Sequence, residues 1–349
     1  MQEDFFSGKG AHVSKYAKGG RSISRREFLG IAAAGAGVAF LGACGGGGQG
    51  GGGGGESYRL TLIVGVIGDE FYTTMECGAQ AAAQELGAEL DVQGPEEFSA
   101  AAQTPILNGA IQANPDAILI APTDVTAMVA PIQSAVNQDI PVVLVDTTIK
   151  KEEIAVARIS SDNVKGGMLA GEALAKLIGE EGKVMIISVT PGISTTDQRK
   201  QGFEEAIKKY PNIEYLGTEY CNDDPVKAAS ITTATLRSNP DLKGIFGANV
   251  FSGQGAGSGI RQTGKKDQVS VVAFDATPTQ VEDLRKGNVD GLIAQHPNDI
   301  GDKGVRVAVD YLKSDEEPAK KQITTGFTTA TRENLDKPEV KEYLYKAEC

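Results

Sequence analysis

From Tyr58 onward, short apolar runs rich in β-branched residues alternate with longer stretches of helical spacing. The apolar runs fall at 60–67, 117–121 and 141–146, then at 183–189, 244–248, 270–275 and 291–295. Between them, helical patterns occupy 71–86, 126–138, 163–179, 198–209, 225–238 and 300–313. A run that is apolar at every position has no polar face to offer water, so it predicts a strand covered on both sides. Such strands separated by helices predict parallel sheets with helices on each face. The alternation restarts after about residue 160, so the predicted fold class is α/β with two Rossmann-like lobes.

Composition narrows the function without changing that picture. The chain's 349 residues leave room for two domains of roughly 100–200 residues each. Apolar residues make up 40% and charged residues 23%, an ordinary globular balance that argues against wholesale disorder. A net charge of −12 argues against nucleic acid as a partner, because phosphate binding needs a basic face. With only 2 His there is no basis for a His-rich metal site, and no run is long and apolar enough to span a membrane.

The N-terminus has a different character. Ser24-Arg25-Arg26-Glu27-Phe28-Leu29-Gly30 precedes a mildly apolar Ala/Gly stretch that ends at Leu41-Gly42-Ala43-Cys44. A basic start, an apolar segment and small residues at its end are the layout of an export signal. The weak hydrophobicity resembles a twin-arginine signal, and Leu-Gly-Ala-Cys resembles the lipobox of bacterial lipoproteins, which makes Cys44 the expected lipid attachment site. Residues 45–55 are glycine except for Gln49; such a segment buries nothing and behaves as a flexible tether. The expected layout is therefore a signal over 1–44, a linker over 45–57, and an acidic domain held at the outer face of the cytoplasmic membrane.

In open α/β sheets ligands bind beyond the carboxyl ends of the strands, and those ends carry polar groups here. Asp69 and Phe71-Tyr72 follow the first run, Asp124 follows 117–121, and Asp146 ends 141–146. In the second set Asn249 follows 244–248, Asp275 ends 270–275 and Gln295 ends 291–295. One such acid is usually a helix cap. Two strands ending in Asp, with amides and aromatic rings alongside, suit an uncharged, hydroxyl-rich ligand: carboxylates and amides pair with hydroxyls, and rings cover C–H faces.

Several motifs in fixed order carry a family resemblance. They are Ala121-Pro122-Thr123-Asp124, Ile140-Pro141-Val142, Ser161-Asp162-Asn163-Val164 with Gly166-Gly167, Phe274-Asp275-Ala276-Thr277-Pro278, and Ile293-Ala294-Gln295 leading into Ile300-Gly301-Asp302-Lys303-Gly304. Over about residues 58–330 the chain resembles the periplasmic sugar-binding proteins of ABC transporters, of the ribose-binding type. The resemblance implies the type I periplasmic binding protein fold, with two lobes joined by a three-strand hinge and a sugar closed between them. Its expected lobes are 58–160 plus 296–327 and 161–295 plus 328–349. It implies ligand contacts from Asp69, Phe71, Tyr72, Asp146 and Thr147 in the first lobe and from Arg199, Asn249, Asp275 and Gln295 in the second. Arg199 would fork to two ligand oxygens, a role that suits a planar guanidinium. The departures are Thr147 where the ribose binder has Arg, Gly65 in place of Ser, and a polar Asn222-Asp223 where it has a stacking Phe. They point beyond ribose to another pentose, a hexose or a polyol such as inositol. The implied partners are a permease with its ATPase subunit and the membrane, through lipid on Cys44. The chain would act as a monomer, with no cofactor, no metal and no catalytic residue.

Other features change little. Gly253, Gly255, Gly257 and Gly259 lack the spacing of a nucleotide loop and read as tight helix packing or a mobile surface helix. His296 has no nucleophile beside it and reads as structural. Cys77 reads as a small buried residue, and Cys221 and Cys349 either pair with each other or stay free. Asp146 and Asp275 together invite a glycosidase reading, but nothing in the sequence points to the raised acid that such chemistry needs. A sugar-sensing lipoprotein that presents its ligand to a receptor would use the same binding chemistry. A sugar-responsive repressor would need a DNA-binding segment where the export signal stands.

Overall fold

A computed structural model describes residues 57–349. The signal expected over 1–44, with Cys44 as its expected lipid attachment site, and the expected linker up to residue 56 lie outside the described residues. The first part of the chain lays down β1 (Arg59–Ile63), α1 (Glu70–Leu86), β2 (Glu89–Gln93), α2 (Ala100–Ala113), β3 (Ala117–Ile120), α3 (Val129–Val136), β4 (Val142–Val145) and β5 (Ala157–Ser161). The second lobe follows with α4 (Asn163–Leu177), β6 (Glu181–Ser188), α5 (Ser194–Ile207), β7 (Asn212–Tyr220), α6 (Pro225–Ser238), β8 (Leu242–Gly247), α7 (Val250–Thr263), β9 (Ser270–Phe274), α8 (Pro278–Lys286) and β10 (Gly291–Gln295). The chain then adds α9 (Pro297–Ser314) and β11 (Gln322–Thr325) to the first lobe before returning with β12 (Phe327–Ala330) and α10 (Pro338–Lys341).

The two sheets repeat one topology. The first runs β2-β1-β3-β4-β5-β11 and the second β7-β6-β8-β9-β10-β12. All pairings are parallel except β12 against β10, which is antiparallel. The chain crosses between the sheets from β5 into α4, from β10 into α9 and from β11 into β12. Phe327, expected as the last residue of the first lobe, opens β12 in the second sheet and pairs with Gln295.

The central strands form because both their faces are buried. In β3 and β4 Ile118, Ile120, Val142 and Leu144 meet Leu107, Ile111 and Ile132 of α2 and α3. Leu119, Val143 and Val145 face the other way, toward Met75, Ile300 and Val305 of α1 and α9. The second lobe repeats this with Val184, Ile186, Phe246 and Phe274 against Leu174 and Phe203. The run at 60–67 yields a shorter strand than expected. β1 stops at Ile63, and Ile67 lies 52% exposed in the turn that follows.

Three helix pairs approach so closely that only hydrogen fits between them. A Cβ at Gly301 would collide with the Met75 carbonyl on α1, and one at Gly167 would collide with the backbone of Arg199 on α5. The glycines of α7 play the same part: Gly255 and Gly259 face Ala228 and Thr232 of α6. The glycine run is therefore a packing surface.

Candidate functional site

Parallel strands bring their carboxyl ends to one edge of a sheet, and here the two edges face each other. Asp146 follows β4 and Asp275 follows β9, the fourth strand in each sheet order. Both take the left-handed conformation, with φ 61° and 75°. Each donates its N–H to the next strand, Asp146 to Ile159 O and Asp275 to Ile293 O. Asp tolerates this backbone better than most residues, and the turn aims both carboxylates into the space between the lobes. That cleft is lined from both lobes, with Asp69, Tyr72 and Asp146 on one side and Arg199, Asn249 and Asp275 on the other. The lobes touch at its mouth: Val125 N–H donates to Gly192 O at 3.2 Å, and Thr148 N–H to Ser194 Oγ at 3.0 Å.

The first-lobe wall comes from the start of α1. Asp69 caps that helix by accepting the Phe71 N–H at 2.8 Å, which fixes Phe71 and Tyr72 at the cleft. The Tyr72 hydroxyl donates to Asp146 Oδ2 at 3.0 Å. Gly65 makes this possible, since a Cβ there would collide with the Tyr72 hydroxyl and the Phe98 ring. Burial is the main cause that pushes the Asp146 carboxyl up, to about 6; Arg199 and the Tyr72 bond oppose it and Asp275 reinforces it. Burial likewise raises Asp69 well above the usual carboxylate range.

The second-lobe wall is more heavily bonded. Arg199 is buried, with Nε donating to Asn163 Oδ1 at 2.8 Å and Nη1 to Ala248 O at 2.8 Å. Its guanidinium carbon sits 3.9 Å above the Phe274 ring, and Nη1 lies 4.0 Å from Asp275 Oδ2. Asp275 Oδ1 accepts both Gln295 Nε2 at 2.8 Å and the Tyr345 hydroxyl at 2.7 Å. Burial raises Asp275 too, against the pull of Arg199, Gln295 and Tyr345. Asn249 caps α7 through Ser252 and donates to Asp223 Oδ1 at 2.7 Å. The Asp223 carboxyl is pushed up to about 6, chiefly by burial, with the Asn249 bond opposing. Gln295 Oε1 is buried with no hydrogen-bond partner among the described residues.

Eight of the residues expected in the site line this cleft: Asp69, Phe71, Tyr72, Asp146, Arg199, Asn249, Asp275 and Gln295. Thr147 does not. Its side chain is buried in the first lobe, where its hydroxyl donates to Pro122 O at 2.7 Å. Asp124 is a turn cap, accepting the Thr126 and Ala127 N–H groups. Sequence reasoning missed Phe98, Val189, Ile193, Thr195, Thr196, Asp223 and Val250 in the wall; Phe98, Ile193 and Val250 are single apolar residues in a turn or at a helix start, Val189 merely ends the run at 183–189, and no pattern marks the two threonines or Asp223 as ligand contacts. The cysteine expectation is also corrected. Cys349 bonds to Cys77 on α1, and Cys221 is free and buried. Cys221 lies under the second sheet, whereas the chain terminus runs to α1 in the first lobe.

Residues 60–317 match the family described as "periplasmic binding protein domain". The chain belongs to that family. Among periplasmic binding proteins it is 31% identical to the ribose import binding protein of Escherichia coli over 261 residues, covering 75% of this chain and 87% of that protein. It is 28% identical to the D-allose-binding periplasmic protein of the same organism, covering 72% and 84%. An ABC transporter solute-binding protein from Agrobacterium vitis, solved with alpha-D-tagatopyranose bound, superposes with a TM-score of 0.81 at 42% identity, covering 83% of this chain and 100% of that one. A second from that organism, with bound D-fucose, gives 0.78 at 33% identity, covering 82% and 100%. The fold is thus the type I periplasmic binding protein fold. Among the described residues no helix is long and apolar enough to cross a membrane.

Proposed function

We propose that this protein is the extracytoplasmic binding component of an ABC transporter and captures a monosaccharide or related polyol between its lobes. The observation that carries the reading is the polarity of the cleft. Asp69, Asp146, Asp223, Asp275 and the unpartnered Gln295 Oε1 offer acceptors, and they outnumber the side-chain donors that face them, Arg199 Nη2, Asn249 Nδ2 and the Thr195 hydroxyl. A ligand that fills this cleft must donate several hydrogens from a compact frame, which a ring bearing many hydroxyls does. The Phe71, Tyr72 and Phe98 rings would cover its C–H faces. The ligands of the relatives, ribose, allose, tagatose and fucose, belong to that class.

Closure follows from the same contacts. A ligand bonded to Asp146 on one lobe and to Arg199 and Asp275 on the other favours the closed form through its differential affinity. Asp146 and Asp275 are raised, as the glycosidase reading would need, but burial is the main cause in each and the relatives are binding proteins, so the role assigned is capture and delivery to a permease. Export agrees with the Cys77–Cys349 disulfide, which persists in oxidising surroundings. In this reading the twin-arginine signal delivers the chain outside the membrane and lipid on Cys44 holds it there, with the glycine segment as tether. Calorimetric titration with ribose, arabinose, allose, tagatose, fucose and inositol tests the function. One of them should bind and raise the melting temperature, and release of no heat with any of them, on protein refolded to remove carried-over ligand, would sink the proposal.

A further inference from the structure

The last residues of the chain do something the family match does not cover. That match ends at 317 and the final strand at Ala330, yet the segment 331–349 returns to the floor of the cleft. Leu335 and Val340 bury in the core. Tyr343 then stacks on His296, with ring centroids 3.5 Å apart, at the crossing from β10 to α9. The Tyr345 N–H donates to Ala276 O at 3.0 Å. Its hydroxyl donates to Asp275 Oδ1 at 2.7 Å and accepts the Gln295 N–H at 3.1 Å, while its ring packs edge-on against Phe71. Beyond it the chain is in the first lobe: Lys346 N–H donates to Thr74 Oγ1 at 2.8 Å, and Cys349 is bonded to Cys77. A segment that starts from the second sheet and ends covalently on α1 is a further link between the lobes, beside the chain crossings.

We propose that residues 331–349 form a disulfide-fastened strap over the hinge, and that Tyr345 on it is a positioning residue that sets which atoms of Asp275 and Gln295 meet the ligand. The inference rests on the sugar-binding reading above. Asp275 Oδ1 is occupied by Tyr345 and by Gln295 Nε2, so Oδ2 is the oxygen left for Arg199 and the cleft. Because Gln295 spends its amide nitrogen on Asp275, its Oε1 is held as an acceptor. Without the tyrosine hydroxyl the carboxylate is free to rotate and the amide to turn, which exchanges an acceptor for a donor at that corner. The strap therefore fixes the corner's preference for a ligand hydroxyl that donates. The disulfide keeps its end from peeling off α1.

The test uses the oxidised full chain as wild type, Tyr345→Phe, and the paired Cys77→Ser and Cys349→Ser variant. Each is titrated with ribose, arabinose, allose, tagatose, fucose and inositol across acid and neutral pH. Tyr345→Phe keeps the ring against Phe71 but leaves Asp275 Oδ1 and the Gln295 N–H each a partner short, so the unliganded melting temperature should fall modestly. Its affinity for the sugar that wild type takes should fall on the order of tenfold, as for loss of a hydrogen bond to a charged group. Asp275 is faced by Arg199 from α5, Asp69 ahead of α1, Asp146 after β4, Asp223 ahead of α6 and Tyr345 from the strap. Losing the Tyr345 donor therefore moves the acid limb of binding to higher pH, which a packing defect alone would not do. Unchanged affinity and an unchanged acid limb overturn the proposal. Hydrogen exchange without ligand decides it independently: both variants should exchange faster over 291–297, and equal exchange overturns the strap. A wild type that takes none of these sugars would count against the sugar reading alone.

Discussion

The two lobes share a strand order and a strand-end Asp in left-handed backbone, yet they treat that Asp differently. Asp146 has one side-chain partner, Tyr72. Asp275 has Gln295 and Tyr345 as hydrogen-bond partners, with Arg199 beside it. The second lobe thus holds its charge in a fuller network, short of a partner for Gln295 Oε1, while the first holds a carboxylate that is buried and thinly paired. A buried charge costs free energy unless partners offset it. The second lobe is accordingly the preorganised half of the site, and the first is the half a ligand completes.

The largest effect should come from Arg199→Ala. It strips partners from Asn163, Ala248 and Asp275 at once. Truncating one member of a buried, bonded charge pair costs about 2–5 kcal/mol. Affinity should fall at least roughly thirtyfold, with a lower melting temperature for the unliganded protein. Unaltered stability would mean that the second-lobe network is not the preorganised one.

A matched pair of substitutions comes next. Asp146→Asn removes a thinly paired buried charge, so the unliganded protein should melt higher even as sugar affinity drops about tenfold. Asp275→Asn leaves Arg199 without its counter-charge and should melt lower. Opposite signs sharpen the contrast between the lobes; the same sign for both would break it.

The smallest effect is on pH dependence. Asp146 and Asp223 have folded-state values near 6, above the ordinary carboxylate value, so the folded protein takes up protons first as pH falls. Their contribution to unliganded stability is therefore greatest in acid and is lost as pH rises through about 6. Hydroxyl donors from a ligand favour the ionised form, so binding expels protons and affinity falls below about pH 6. Melting curves and titrations across that range check both directions. Affinity that rises in acid would assign the carboxylates a protonated, donating role.

Much of this was legible along the chain. Central strands such as β3 and β4 are apolar throughout because helices cover both faces. The edge strands β2, β7, β11 and β12 escaped notice because one face meets water and their polar residues break the run. β5 also escaped, since Arg158, Ser160 and Ser161 make it polar although it is largely buried. Helices α2, α7 and α8 were missed or only half seen. Pro105 interrupts the first, glycines dilute the second, and the third is a short polar surface helix begun by the Thr277–Gln280 capping box.

The sequence by itself determined the alternation of strand and helix, the repeat of that pattern, and the polar residues at the strand ends. Those follow from local periodicity and from the rule that parallel strands finish on one edge. Only the tertiary structure decided that Thr147 turns inward while its neighbour Asp146 faces the cleft, because adjacent residues in a tight turn point opposite ways. It alone decided that Cys349 meets Cys77 across a separation of 272 residues, and that Tyr345 reaches Asp275. Those contacts depend on where a tail leaving one lobe comes to rest on the other, and no spacing along the chain encodes that distance.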